Sequence, residues 1–149
     1  MTRTLVSTVT AVGITAGSLA GASAALAAPT SATAPAVTSE AVAPLAVVNL
    51  GLSTTQAKYA QCWLRENWGY TGAIDGQLGT NSWKAFQRNL KAHWSYTGAI
   101  DGIVGSGTVK ALQRLLKASW GYTGAIDGIA GSGTQAAFKR FANACSGWC

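Results

Sequence analysis

The reactive side chains of this sequence are few: five carboxylates, one imidazole and three thiols in 149 residues. Catalysis by such groups needs them assembled, as several metal ligands, a thiol beside an imidazole, or two carboxylates across a cleft. His93 is the single histidine, and at steps of 26 residues its position is held by Asn67, Ser119 and Cys145, which marks a surface residue. Glu40 and Glu66 have no recurring partner. Asp75, Asp101 and Asp127 each precede a glycine in the same setting. An aspartate there accepts hydrogen bonds from the following amides and fixes a turn. One carboxylate per loop is too few for a calcium site. The expectation is therefore no catalytic residue, no metal and no cofactor.

Those aspartates belong to the dominant pattern of the sequence. Trp68-Gly69-Tyr70-Thr71-Gly72-Ala73-Ile74-Asp75-Gly76 returns from Trp94 to Gly102 and again from Trp120 to Gly128, a period of 26 residues without a gap. Eight of the nine positions are identical in all three copies. The loop glycines suit turns with positive φ, and Ile74 and Leu78, with Ile100, Val104, Ile126 and Ala130 as counterparts, are expected to cover helix ends.

Helices must position these loops. Trp83, Phe86, Leu90 and Trp94 share one helical face, as do Val109, Leu112, Leu116 and Trp120. Thr80-Asn81-Ser82, Ser106-Gly107-Thr108 and Ser132-Gly133-Thr134 offer N-cap oxygens. A first helix over about 54–67 carries Tyr59, Trp63 and Leu64, and a last over about 134–145 carries Phe138, Phe141 and Ala142. No alternating run argues for a sheet. The predicted fold is all-α, a small helical repeat or bundle of about four helices joined by Gly-rich loops.

Residues 1–27 read as a cleavable signal peptide: Arg3, a broken apolar run, then Ala22-Ser23-Ala24 and Ala25-Leu26-Ala27. Residues 28–52, rich in Ala, Pro, Thr, Ser and Val without an aromatic ring, read as a linker or pro-region. The domain is then 53–149. Losing Arg3 lowers the formal charge from +6 to +5, mildly basic, with the cations spread over the helices. Export disfavours nucleic acid, and cleavage leaves no membrane segment. In an exported chain disulfides persist. Cys62, Cys145 and Cys149 allow one pair, either Cys62 with a C-terminal cysteine or Cys145 with Cys149.

The string Tyr-Thr-Gly-Ala-Ile-Asp-Gly, followed by a glycine, a capping Ser or Thr, and helices containing Ala85-Phe86-Gln87 or Ala111-Leu112-Gln113, resembles the peptidoglycan-binding domain family. The resemblance covers roughly residues 54–145. It implies a helical, non-catalytic module that holds proteins to the bacterial cell wall, with peptidoglycan as partner. Ala73, Ala99 and Ala125 stand where the family often has proline, and each inner helix here serves two neighbouring loops. Two other partners fit the same scaffold: a second secreted protein that the chain binds or inhibits, or a separate wall hydrolase that it targets.

The candidate ligand-binding residues are Tyr70, Thr71 and Gly72, Tyr96, Thr97 and Gly98, and Tyr122, Thr123 and Gly124. Tyrosine at a loop entrance serves either packing or binding, because its ring is apolar and its tip polar. Trp68, Trp94 and Trp120 lie on the apolar stripe and are assigned to the core. Arg88, Arg114 and Arg140 recur one position past Gln87, Gln113 and Lys139. They are either solvated, paired with the loop aspartates, or donors to peptide carboxylates.

Overall fold

A computed structural model describes residues 46–149; the expected signal peptide, and the linker as far as residue 45, lie outside the described residues. Helices α1 (Thr54–Trp68), α2 (Thr80–His93), α3 (Ser106–Ser119) and α4 (Ser132–Ala144) follow one another, and a 3-10 turn, Cys145–Trp148, ends the chain. No strand occurs among the described residues, so the fold is all-α as expected. Each helix packs on its neighbour in sequence, and α4 packs back on α1, closing a ring.

The apolar stripes meet inside this ring. Trp83 and Phe86 of α2 face Phe138 and Phe141 of α4, with Phe86 5.7 Å from each of the two phenylalanine rings. Trp63 of α1 is edge-on to Phe141 at 5.1 Å, and Trp120 follows it at 5.5 Å. Leu64, Leu90, Leu112 and Leu116 are fully buried around them. Trp68, Trp94 and Trp120 are partly buried against the same core, as their stripe positions require.

The helix starts differ from expectation. Only α1 has a side-chain cap, in which Ser53 accepts from the Gln56 amide while Gln56 reaches back to the Ser53 N–H. Helices α2, α3 and α4 begin after Gly79, Gly105 and Gly131, none of which has a side chain to cap with. Ser82, Thr108 and Thr134 lie inside the first turn and are buried, because glutamines from the preceding helices take their hydroxyls.

The helix ends follow one design. The amides of Tyr70, Tyr96 and Tyr122 reach back six residues to the carbonyls of Leu64, Leu90 and Leu116, each at 3.2 Å. That closure requires a left-handed residue, supplied by Gly69 at φ 64°, Gly121 at φ 64° and, between them, Ser95 at φ 55°.

The folded unit also starts earlier than composition suggested. Val48 donates to the Leu78 carbonyl, and the Asn49 amide bonds both Gly76 and Leu78. Trp83 donates its indole N–H to Val48, and Leu52 is buried. Residues 48–52 therefore belong to the domain rather than to a linker. A few apolar side chains and one asparagine suffice, because the first loop offers them a backbone edge.

Candidate ligand-binding loops

Each loop is built around a glutamine of the helix before it. Gln61 is fully buried, and its amide nitrogen lies 2.9 Å from Asp75 Oδ1, 3.0 Å from the Gln77 carbonyl and 3.3 Å from Tyr70 Oη. Its amide oxygen accepts from the Gly76 N–H at 2.8 Å. Gln87 holds Tyr96, Asp101, Gly102 and Ile103 in the same way. Gln113 does so for Tyr122, Asp127, Gly128 and Ile129. Buried amides are satisfied only when every donor and acceptor finds a partner. Here the partners come from the loop. At the fourth register position, Lys139 is exposed.

The tyrosines complete this network. Tyr70, Tyr96 and Tyr122 are buried to 6–8% exposure, and their hydroxyls donate to Ala73, Ala99 and Ala125 at 2.7–2.8 Å. Gly72, Gly98 and Gly124 lie directly beneath those hydroxyls, and a Cβ on any of them would overlap the tyrosine oxygen. The ring thus packs, and only its edge borders solvent. Thr71, Thr97 and Thr123 are exposed beside it.

The aspartates take the turn-fixing role read from the sequence. Oδ1 of Asp75, Asp101 and Asp127 accepts from the N–H two residues on, at 2.8–2.9 Å. The Gln61 amide, then the Gln77 N–H, hold the Asp75 carboxyl below its ordinary 3.8. Asp101 is lowered first by the Ile103 N–H and then by Gln87, and Asp127 first by Gln113 and then by Ile129. Lys58, Lys84 and Lys110 add a smaller attraction in the same direction.

The arginines are not paired with the aspartates: Arg88 and Arg140 lie on the exposed surface, Arg114 is half-buried, and all three reach back to backbone carbonyls. Arg88 donates to the carbonyls of Trp68 and Gly69 at 2.8–3.0 Å, and Arg140 to those of Trp120 and Gly121. They neutralise the carbonyl end of the helix one unit back. Arg114 makes one such bond, Nη1 to Trp94 at 3.2 Å.

Between loop and following helix lie open cavities. One of 350 Å³ is bounded by Tyr96, Thr97, Gly98, Asp101, Ile103, Gly107, Lys110 and Arg114. Its counterpart one unit on, of 520 Å³, has Tyr122, Thr123, Gly124, Asp127, Ile129, Gly133 and Arg140 on its walls. At the first loop two smaller cavities of 180 and 210 Å³ share Tyr70 and Asn81 as a common wall. All twelve candidate binding residues border one of these cavities. Sequence reading missed the exposed Ile103 and Ile129 and the buried glutamines. The glutamines left a signal, since Gln61, Gln87 and Gln113 recur with the loop period.

His93 is exposed, edge-on to Trp68 at 5.5 Å. Among the described residues no three His, Cys, Asp or Glu side chains gather as metal ligands, and no helix is long and apolar enough to cross a membrane. Cys62 is bonded to Cys149, while Cys145 is a buried free thiol whose pKa burial pushes up to about 12. No protein-family model, curated protein or solved structure matches the chain.

Proposed function

We propose that this chain is a secreted, non-catalytic protein that binds peptidoglycan through its Tyr-Thr-Gly-Ala-Ile-Asp-Gly loops. The observation that carries the reading is the set of solvent-open cavities beside those loops, each loop held by hydrogen bonds to a buried glutamine. The loop motif resembles that of peptidoglycan-binding domains, and equivalent sites on one chain suit a polymer of repeating units through avidity. The Cys62–Cys149 disulfide fits an oxidising, extracytoplasmic setting. The absence of catalysis is part of the proposal, and one observation supports it: every loop carboxylate is committed to holding its own turn.

The test is co-sedimentation of the purified chain with insoluble cell walls. The chain is expected in the pellet at low and at moderate salt. If it stays in the supernatant at both, the proposal fails. Retention lost with modest salt alone reduces it to charge attraction. Steady dye release from labelled walls by the pure chain would overturn the non-catalytic part.

A further inference from the structure

The three loops are nearly identical in sequence, yet their cavities are not equivalent. Among the lining positions that differ, two separate the first unit from both others by a change of chemical class. Where the first has Gln77 and Asn81, the second has Ile103 and Gly107, and the third Ile129 and Gly133. Asn81 stands with Tyr70 on the wall shared by the two small cavities of the first unit. Where Gly107 and Gly133 stand instead, each unit has one larger cavity, of 350 and 520 Å³. Neither glycine is required by packing, since a Cβ would meet only the edge of Tyr96 at 3.8 Å or of Tyr122 at 3.6 Å. Glycine in a first helical turn otherwise weakens the helix. Ile103 and Ile129 are both 67% exposed, the most exposed large apolar side chains among the described residues, and each borders its cavity. A single exposed apolar side chain is ordinary on a surface; what sets these two apart is their place, each giving its cavity an apolar wall that Gln77 does not give the first unit.

Resting on the reading of peptidoglycan binding, we infer that the chain has two working sites, in the second and third units, and that each takes the peptide part of the wall. The first unit is a structural copy. An open aromatic face, apolar across the ring and polar at the tip, is one surface that suits a sugar ring. The only aromatic rings on these two cavities are Tyr96 and Tyr122, each 8% exposed with its hydroxyl already spent. What the walls offer instead are bare glycine backbone, an isoleucine and cations. These match a short peptide with methyl side chains and a carboxylate. Arg114 makes its single hydrogen bond through Nη1, which leaves Nε and Nη2 without a partner among the described residues, and Lys110 stands on the same cavity. In the third unit Ala136 replaces that lysine, and Arg140 is bonded through Nε and Nη2. The second site is accordingly the stronger.

The experiment titrates the full chain with a synthetic wall tetrapeptide, L-Ala-γ-D-Glu-L-Lys-D-Ala, and separately with peptide-free glycan strands, by NMR and calorimetry. Two peptides per chain are expected, and no saturable response to glycan. Ile103→Gln with Gly107→Asn should remove the stronger site. Ile129→Gln with Gly133→Asn should remove the weaker, each with at least a tenfold loss of affinity. Gln77→Ile with Asn81→Gly should create a third site, a gain that misfolding cannot imitate. Three peptides on the unaltered chain, unchanged affinity in both loss variants, or saturation by glycan alone overturns the inference. In each of those cases the chain still sediments with walls, so the parent reading stands. If nothing sediments, both fall.

Discussion

Gln87 shows how much of a loop can hang on one side chain. It is fully buried, and its amide meets a tyrosine hydroxyl, a carboxylate, a carbonyl and a backbone N–H of the following loop. Gln87→Leu keeps the volume and strands those partners, a change that costs roughly 2–3 kcal/mol. Chemical denaturation should show it as a lowered midpoint with an unchanged slope. The aspartates give a pH signature at the same scale. Their folded pKa values lie below the ordinary 3.8. A depressed carboxylate stabilises the fold fully above its unfolded value and loses that contribution as pH falls through the folded one. The melting temperature should therefore hold at neutral pH and decline below about pH 4. Asp75→Asn, Asp101→Asn and Asp127→Asn together keep the accepting oxygen and remove the titration, so this triple variant should decline less between pH 5 and pH 2. An equal decline in both proteins would place the acid sensitivity elsewhere.

At the scale of the element, the three helix ends provide an internal comparison. Gly69 and Gly121 adopt φ 64° at no steric cost, whereas Ser95 adopts φ 55° with a Cβ. Ser95→Gly should raise stability by about 0.5–1 kcal/mol. Thermal melting read by circular dichroism checks it, and no rise would mean that the serine is locally compensated. Helix number, phase and approximate bounds were legible in the sequence because apolar spacing at 3.6 residues survives any neighbour. The turn role of the aspartates was legible for a similar reason, since it depends on residues two positions away. What could not be read locally is everything that crosses units. Ser82, Thr108 and Thr134 look like caps until a glutamine 21 residues earlier claims them. Arg88 looks free until the carbonyls 19 and 20 residues before it come within reach. Val48 and Asn49 look like linker for want of any local sign of the loop edge they join, 27–30 residues on.

At the scale of the molecule, the disulfide ties α1 to the chain terminus across 87 residues. A crosslink of that span limits the unfolded chain and stabilises the fold by about 4–5 kcal/mol on a chain-entropy account. Reduction, or Cys62→Ser with Cys149→Ser, should lower the melting temperature well beyond any single loop substitution. Cys145→Ser should leave the bond intact, as mass spectrometry of the unreduced protein would report. The sequence left three pairings open because the choice depends on where α4 returns, and that is decided by the aromatic contacts of Trp63, Phe86 and Phe141.

The packing of α4 back on α1 carries a consequence for how such a chain can evolve. An open stack of units can be lengthened or shortened at either end, since every added helix finds the same neighbour. A circle has no end at which to add. Gain or loss of one 26-residue unit here would break the seam between the first helix and the last, and with it the clasp between Cys62 and Cys149. The architecture counts its own members, so diversification is confined to exchanging side chains at fixed positions around the ring.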